Sequence, residues 1–181
     1  AGARRKAGRF ASIVPALGLV LLFGGAAAYV AARLDPLPPR FSGIAQAADG
    51  DSLRLRGDRI RLKGIDAPEL DQICWDMAGQ EWPCGRAARA SLEVLLGQGP
   101  ADCLPLGEDK HGRTVATCAV GGQDLGATLV AEGMALAYGD YDTEEAAARS
   151  ADRGIWRGRF VDPSNGATKA QYPPRNRRRS N

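Results

Sequence analysis

Residues 49–66 read DGDSLRLRGDRIRLKGID, two runs of alternating apolar and polar residues on either side of Gly57-Asp58. Two such runs joined by a two-residue Gly-Asp loop are typical of a tight β-hairpin. With that turn, Asp66 would face Asp49, and directly opposed residues have Cβ atoms only ~5 Å apart. The hairpin therefore predicts a cluster of three carboxylates at one end: Asp49, Asp51 and Asp66. Because like charges this close repel, a hard cation bound by oxygens, such as calcium, is the expected compensation.

The alternative interpretation is that acids at a strand end are ordinary loop residues. Two acids would favour that alternative. A third acid, followed directly by Ala67-Pro68-Glu69, favours a site.

The net charge of +3 hides an uneven distribution. Nine of the 24 basic residues lie in the first nine residues or beyond residue 168, whereas all 21 acidic residues lie between them. The middle of the chain is therefore acidic, and bulk basicity gives no argument for nucleic-acid binding. Any polyanion must be met by local arginines or by a metal.

The N-terminal region predicts a membrane anchor. Residues 10–32 carry no charged side chain and would form a helix of roughly 35 Å, enough to cross a bilayer core. The basic residues in 1–9 predict a cytoplasmic N-terminus, with a Pro-rich linker at 33–40 and the remaining domain in the periplasm or outside the cell. The alternative is a signal peptide cleaved near residues 26–28, which would give a secreted protein.

Four cysteines fit an exported domain with two disulfides: Cys74, Cys84, Cys103 and Cys118. No pair has the Cys-x-x-Cys spacing of zinc knuckles. Three pairings can be drawn. The positions favour Cys74–Cys84, which closes a short loop, and Cys103–Cys118, which lie in consecutive strand-like runs.

The order of predicted elements indicates an α+β OB-fold, a five-stranded barrel with about three helices. Strands are predicted for 41–48, for both arms of the hairpin, and for 101–106 and 113–120. Helices are predicted at 85–96 and 125–132. A third helix would begin with a capping box formed by Asp142 and Glu145. The domain would span 41–163 and contain a long loop at 67–84, whereas 164–181 form a basic tail predicted to be disordered.

A set of motifs in this order resembles the staphylococcal nuclease (thermonuclease) family. The motifs are Asp49-Gly50-Asp51-Ser52, Arg61, Asp66-Ala67-Pro68-Glu69, Asp109-Lys110-His111-Gly112-Arg113, Gly133, Tyr138, Tyr141 and residues 144–156. The resemblance covers about residues 41–160. It implies a calcium-dependent phosphodiesterase that hydrolyses DNA, RNA or both, and we expect it to act as a monomer.

The resemblance also implies residue roles. Asp51, Asp66 and the carbonyl of Ala67 would bind calcium, with Asp49 in its outer shell. Glu69 would be the general base, and Arg61 and Arg113 would bind phosphate and stabilise the charge of the transition state. The nucleotide pocket would be lined by Lys110, His111, Tyr138 and Tyr141.

Two positions depart from the family pattern. Ala67 stands where many members have Thr, and His111 stands where Tyr is common. Arg61 raises a separate question, because the predicted register puts it on the face opposite Asp51. Either a bulge or strong twist brings Arg61 to the acids, or it belongs to a solvated basic face.

Chemistry alone makes the proposed scheme coherent. The chain has a single histidine, so a mechanism with two histidines as acid and base is excluded within one copy. Arginine forks match paired phosphate oxygens, and a carboxylate can activate water. The alternatives are a non-catalytic OB-fold module that binds nucleic acid or an envelope polymer, and a structural envelope domain stabilised by calcium and disulfides.

Overall fold

The computed structural model describes residues 40–163. The predicted N-terminal segment, membrane anchor and basic tail lie outside these residues, as does nearly all of the linker. Within the described part of the chain, no helix is long and apolar enough to cross a membrane. The α+β class with three helices is confirmed.

The larger elements form a barrel with helices around it. Its strands are β1 (Phe41–Gly43), β2 (Ala45–Ala47), β3 (Ser52–Leu55), β4 (Asp58–Leu62), β8 (Ala101–Glu108) and β9 (Thr114–Val120). The short strands are β5 (Ile65–Asp66), β6 (Cys74–Asp76), β7 (Glu81–Trp82), β10 (Gln123–Asp124), β11 (Leu136–Ala137) and β12 (Gly158–Arg159). The helices are α1 (Cys84–Leu96), α2 (Leu125–Ala131) and α3 (Asp142–Ser150), with a 3₁₀ turn at Gly154–Arg157.

The main sheet closes on itself through its first strand. Ile44 interrupts that strand, so that β1 pairs with β8 and β2 pairs with β3. The path continues from β3 to β4, then through a parallel pairing to β9, and back to β8. Since only Ile44 separates β1 from β2, the ring has five strands. A ring of this order, with α1 between β4 and β8, is consistent with the predicted OB-fold.

The hairpin exists, but the predicted turn is wrong by one residue. Arg56 and Gly57 form the turn with φ of 55° and 97°, the paired positive values of a type I′ turn. Leu53 therefore pairs with Ile60, and Ser52 pairs with Arg61. Every cross-strand pair shifts by two residues from the predicted register. The opposition of Asp66 and Asp49 is consequently wrong, and Asp66 pairs with Leu136 on β11 instead.

Helix α1 covers the barrel with its apolar face, which carries the fully buried Ala88 and Leu92. The predicted capping box of α3 is wrong. Asp142 is the first helical residue, and the Glu145 carboxylate accepts a hydrogen bond from the N–H of Ala137 on β11.

The segment predicted as a loop at 67–84 contains two strands. β6 pairs with β7 and with β12, forming a small separate sheet. Beside it lies a second hydrophobic cluster that includes Ile155 and Phe160. The predicted disulfides are both present: Cys74–Cys84 lies in this cluster, and Cys103–Cys118 joins directly opposed residues of β8 and β9.

Candidate active site

The guanidinium of Arg61 joins two of the predicted acids. Its Nη1 lies 2.8 Å from Oδ2 of Asp51, and its Nη2 lies 2.6 Å from Oδ1 of Asp66. The Arg61 side chain is 24% exposed, so the pairs are partly shielded from water. Arg61 is therefore at the acid cluster, and the alternative of a solvated basic face does not hold for it.

Backbone geometry explains how Arg61 reaches Asp51. Asp51 lies in a bend just before β3, so the alternation of the strand does not fix its side-chain direction. Its carbonyl still accepts a hydrogen bond of 2.8 Å from the N–H of Leu62. Neither a bulge nor an unusual twist within the hairpin is needed.

Asp51 is the most strongly perturbed acid of the cluster. Its exposed fraction is only 6%, and this burial raises its pKa to about 7, against the opposing effect of Arg61. The charge of Asp49 raises the pKa further, and Asp49 also accepts a hydrogen bond from the N–H of Asp51. A hydrogen bond of 2.9 Å from Ser52 Oγ favours the ionised form of Asp51. The fold thus holds a carboxylate where additional positive charge would stabilise it.

The backbone of Glu69 is held against the start of α1. A Cβ built on Gly85 would lie 1.7 Å from the Glu69 carbonyl oxygen, so only glycine permits this approach. Gln72 closes a turn on the same residue, because its N–H donates to the Glu69 carbonyl and its side-chain Oε1 accepts from the Glu69 N–H. The exposed carboxylate of Glu69 therefore extends from a fixed backbone.

Gly85→Ala is expected to lower the free energy of unfolding by about 1–3 kcal/mol, because the added methyl group forces two backbone segments apart. Urea denaturation measures the change. Gly99→Ala is the matched control, since its Cβ would meet only Val120 Cγ1 at an ordinary 3.7 Å. Equal stability of the two variants would contradict the close approach.

Asp109 organises the loop between β8 and β9. Its Oδ1 accepts from the backbone N–H of His111 at 2.8 Å and of Arg113 at 2.9 Å, and its Oδ2 accepts from Arg113 Nε at 2.7 Å. These bonds from Arg113 and His111 hold the pKa of Asp109 well below its usual range. Sequence reasoning gave Asp109 no role of its own. An Asp followed three residues later by Gly is typical of a turn, and this spacing could have indicated the structural role of Asp109. In the structure Gly112 has the positive φ, 72°, that such a turn requires.

Two adjoining grooves contain most of the predicted site residues. The first, of ≈ 600 Å³, has a lining that includes Arg61, Asp66, Glu69, Lys110, His111, Arg113 and Tyr138. The second, of ≈ 560 Å³, shares Arg61, Glu69, His111 and Arg113 with the first. Glu69, Arg61 and Arg113 therefore line both grooves, and Arg61 connects them to the buried Asp51.

Tyr141 lies elsewhere. Its hydroxyl contacts both carboxylate oxygens of Asp124 at 3.2 Å, and its ring packs on Gly126 at the start of α2. Burial, followed by the charge of Asp124, raises its pKa. Its own φ of 68° turns the chain into α3. Tyr141 lines neither of the two grooves, and its predicted place in the nucleotide pocket stays a prediction.

No group of three or more His, Cys, Asp or Glu side chains within residues 40–163 has the arrangement of a metal centre. The acid cluster instead offers two carboxylates and the backbone at Ala67, whose N–H lies 3.4 Å from Oδ2 of Asp51.

Comparison with known proteins identifies the class to which this fold and site belong. The sequence profile described as staphylococcal nuclease homologue matches residues 59–158, more than half of the chain. The protein therefore belongs to the staphylococcal nuclease homologue family.

Particular relatives share moderate identity. The chain is 34% identical over 122 residues to the succinoglycan biosynthesis protein ExoI of Rhizobium meliloti, covering 64% of each protein. It is 30% identical over 112 residues to the probable staphylococcal-like nuclease CAN2 of Oryza sativa, covering 59% of this chain and 28% of that protein. It is 28% identical over 103 residues to an uncharacterized endonuclease of Haemophilus influenzae, covering 54% of this chain and 52% of that protein. The chain thus spans less than two thirds of each of these relatives.

Proposed function

We propose that the protein is a calcium-dependent nuclease that hydrolyses phosphodiester bonds of DNA, RNA or both outside the cytoplasm. The observation that carries this proposal is the convergence of Arg61, Glu69 and Arg113 on one groove beside the buried Asp51. Family membership and the nuclease-named relatives support the same reaction class.

Glu69 is the proposed general base. Its carboxylate is exposed to the groove and its backbone is fixed by Gln72 and Gly85. A general base can act only when it is held near the proton that it removes, and a base so positioned raises the reaction rate by ~10²–10⁴-fold. Glu69 would take the proton from a water molecule as that water attacks phosphorus.

Arg61 and Arg113 are the proposed phosphate-binding residues. Arg113 lines the groove and binds Asp109 through Nε, so this ion pair does not use the two terminal nitrogens of its guanidinium. Paired guanidinium nitrogens match two phosphate oxygens, and they help most where negative charge grows during the reaction. Lys110, His111 and Tyr138 would contact the nucleotide, since they line the same groove.

Calcium fits the chemistry of the donor set. Asp51, Asp66 and the carbonyl of Ala67 offer only oxygen ligands, with Asp49 next to Asp51. Arg61 bridges Asp51 and Asp66, and the nearby Asp49 adds a third carboxylate, so two negative charges stay uncompensated when all three are ionised. A bound calcium ion would neutralise phosphate oxygens and help ionise water.

The two disulfides support an extracytoplasmic location, because such bonds persist in oxidising compartments. We propose that residues 10–32 anchor the domain on that side of the membrane. Protease added to cells with a permeabilised outer layer should then remove the domain, and a wholly cytoplasmic protein would contradict the location.

Removal of calcium tests the metal requirement. The purified chain is expected to cleave single-stranded DNA with calcium and to lose the activity in chelator, because Asp51 and Asp66 then lack their cation. Cleavage is followed by gel electrophoresis, and calcium binding by its effect on the thermal unfolding midpoint. Full activity in chelator would overturn the metal mechanism. Binding of DNA without cleavage under every condition would favour the non-catalytic OB-fold module.

A further inference from the structure

The second groove extends beyond the proposed catalytic residues toward the β3–β4 hairpin. Besides Arg61, Glu69 and Arg113, its lining includes Asp58 and Arg59 at the start of β4. Three arginines thus face two acids along this channel, and one of those acids is the proposed base. The end of the groove at Arg59 has no part in the reaction described above.

The hairpin places two arginines directly opposite each other. Arg54 on β3 is the cross-strand partner of Arg59 on β4, and both are exposed. Directly opposed like charges destabilise a strand pair. Among residues 40–163 the ion pairs of the hairpin involve Arg61 and Lys63, and neither Arg54 nor Arg59 has an acidic partner there. Arg59 therefore lines the groove, Arg54 lies opposite it on β3, and neither guanidinium has an ion-pair partner among residues 40–163.

The spacing along β4 suits a polymer of phosphates. Arg59 and Arg61 lie two residues apart on the same outward face of the strand, whereas Ile60 between them is fully buried. Two residues of a strand span roughly 7 Å. This is comparable with the distance between neighbouring phosphates of an extended nucleic-acid strand. A strand whose scissile phosphate lay at Arg61 could therefore present its next phosphodiester to Arg59.

We propose that Arg54 and Arg59 form a second phosphate subsite, which binds the phosphodiester next to the one that is cleaved. This inference rests on the proposed function and deepens it. The subsite makes the enzyme prefer a polynucleotide strand that continues past the cleavage point over a dinucleotide. It also explains how a domain with a net negative charge could bind a polyanion, because the arginines are concentrated along one groove.

The test measures binding separately from cleavage. The full chain carrying Glu69→Gln is titrated, in calcium, with a fluorescent thymidylate strand of about 16 nucleotides at several salt concentrations. Arg54→Ala/Arg59→Ala in that background should bind roughly tenfold more weakly, and its salt slope should fall by about 0.7 for each phosphate that the variant no longer binds. Arg86→Ala is the control, because Arg86 lines neither groove and its one ion pair within the described residues is a 3.7 Å contact with Asp71.

Cleavage provides the second measurement. In the otherwise native chain, the ratio of kcat/KM for the long strand to that for a dinucleotide should fall about tenfold in Arg54→Ala/Arg59→Ala and stay constant in Arg86→Ala. Removing two charges that repel each other should not unfold the hairpin, and circular dichroism checks this. Affinity, salt slope and substrate ratio equal to those of the control would overturn the subsite. Failure of the native chain to cleave either substrate would instead count against the proposed function, while the binding titration would still decide the subsite.

Discussion

Glu69→Gln is expected to reduce phosphodiester cleavage by ~10²–10⁴-fold, the usual contribution of a general base. The amide keeps the size of the side chain but cannot take a proton from water. The backbone contacts with Gln72 and Gly85 do not involve the carboxylate, so the fold should be unchanged. Initial rates on single-stranded DNA at fixed calcium measure the effect.

Glu81→Gln is the matched control for this substitution. Glu81 is exposed on β7, and its carboxylate binds only the indole N–H of Trp75 among the described residues. The control should retain full activity and the same calcium-dependent shift in thermal midpoint. Unchanged turnover in Glu69→Gln would remove the proposed base.

Arg61→Ala is expected to reduce cleavage by roughly 10²-fold or more, because the guanidinium would stabilise charge that grows in the transition state. It should also cost about 1–3 kcal/mol of unfolding free energy, since Asp51 and Asp66 lose a shared partner in a partly buried site. Arg61→Lys should restore little activity, because an ammonium cannot bridge two groups as a fork. Turnover and urea denaturation are measured on the same preparations.

Arg113→Ala separates the two effects of Arg61. It should reduce cleavage to a similar degree but destabilise the fold much less, because its only acidic partner among the described residues is Asp109 on a surface loop. A native rate of cleavage in Arg61→Lys would contradict the proposed role of the Arg61 guanidinium. Equal losses of unfolding free energy in Arg61→Ala and Arg113→Ala would contradict the stabilising role of the ion pairs that Arg61 makes with Asp51 and Asp66.

The hairpin shows what sequence could and could not predict. Gly57-Asp58 was the natural turn, because arginine rarely adopts the positive φ that Arg56 has here. The resulting error of two residues kept the apolar side chains of the hairpin on their predicted face, since faces alternate with a period of two. The core residues were therefore correct, whereas the predicted partners were wrong. The position of Arg61 depended on those partners and on the bend at Asp51, which no alternation pattern encodes.

Other features of the fold were predictable where they depend on residues close in sequence, and not where they depend on residues far apart. The pairing of Cys103 with Cys118 was predictable because consecutive strands form a hairpin. The position of Tyr141 was not, because it depends on a contact with Asp124, 17 residues earlier in the chain. The small sheet was missed for the same reason, since β6 and β7 are completed by β12 from the other end of the domain.

The hydrogen bond between Gln72 and Val161 shows that the domain extends past the C-terminal end of the family profile. Gln72 shapes the turn at Glu69, and its Nε2 donates a 2.7 Å hydrogen bond to the Val161 carbonyl. The family profile stops at residue 158, before Val161 and before the buried Phe160. It also starts after Asp51. A recombinant product trimmed to the profile would thus lack two acids of the cluster, Asp49 and Asp51, and the hydrogen bond from Gln72 to Val161 that supports the turn at Glu69. A fragment made for expression should therefore extend beyond both ends of the profile, far enough to include Asp49 and Val161.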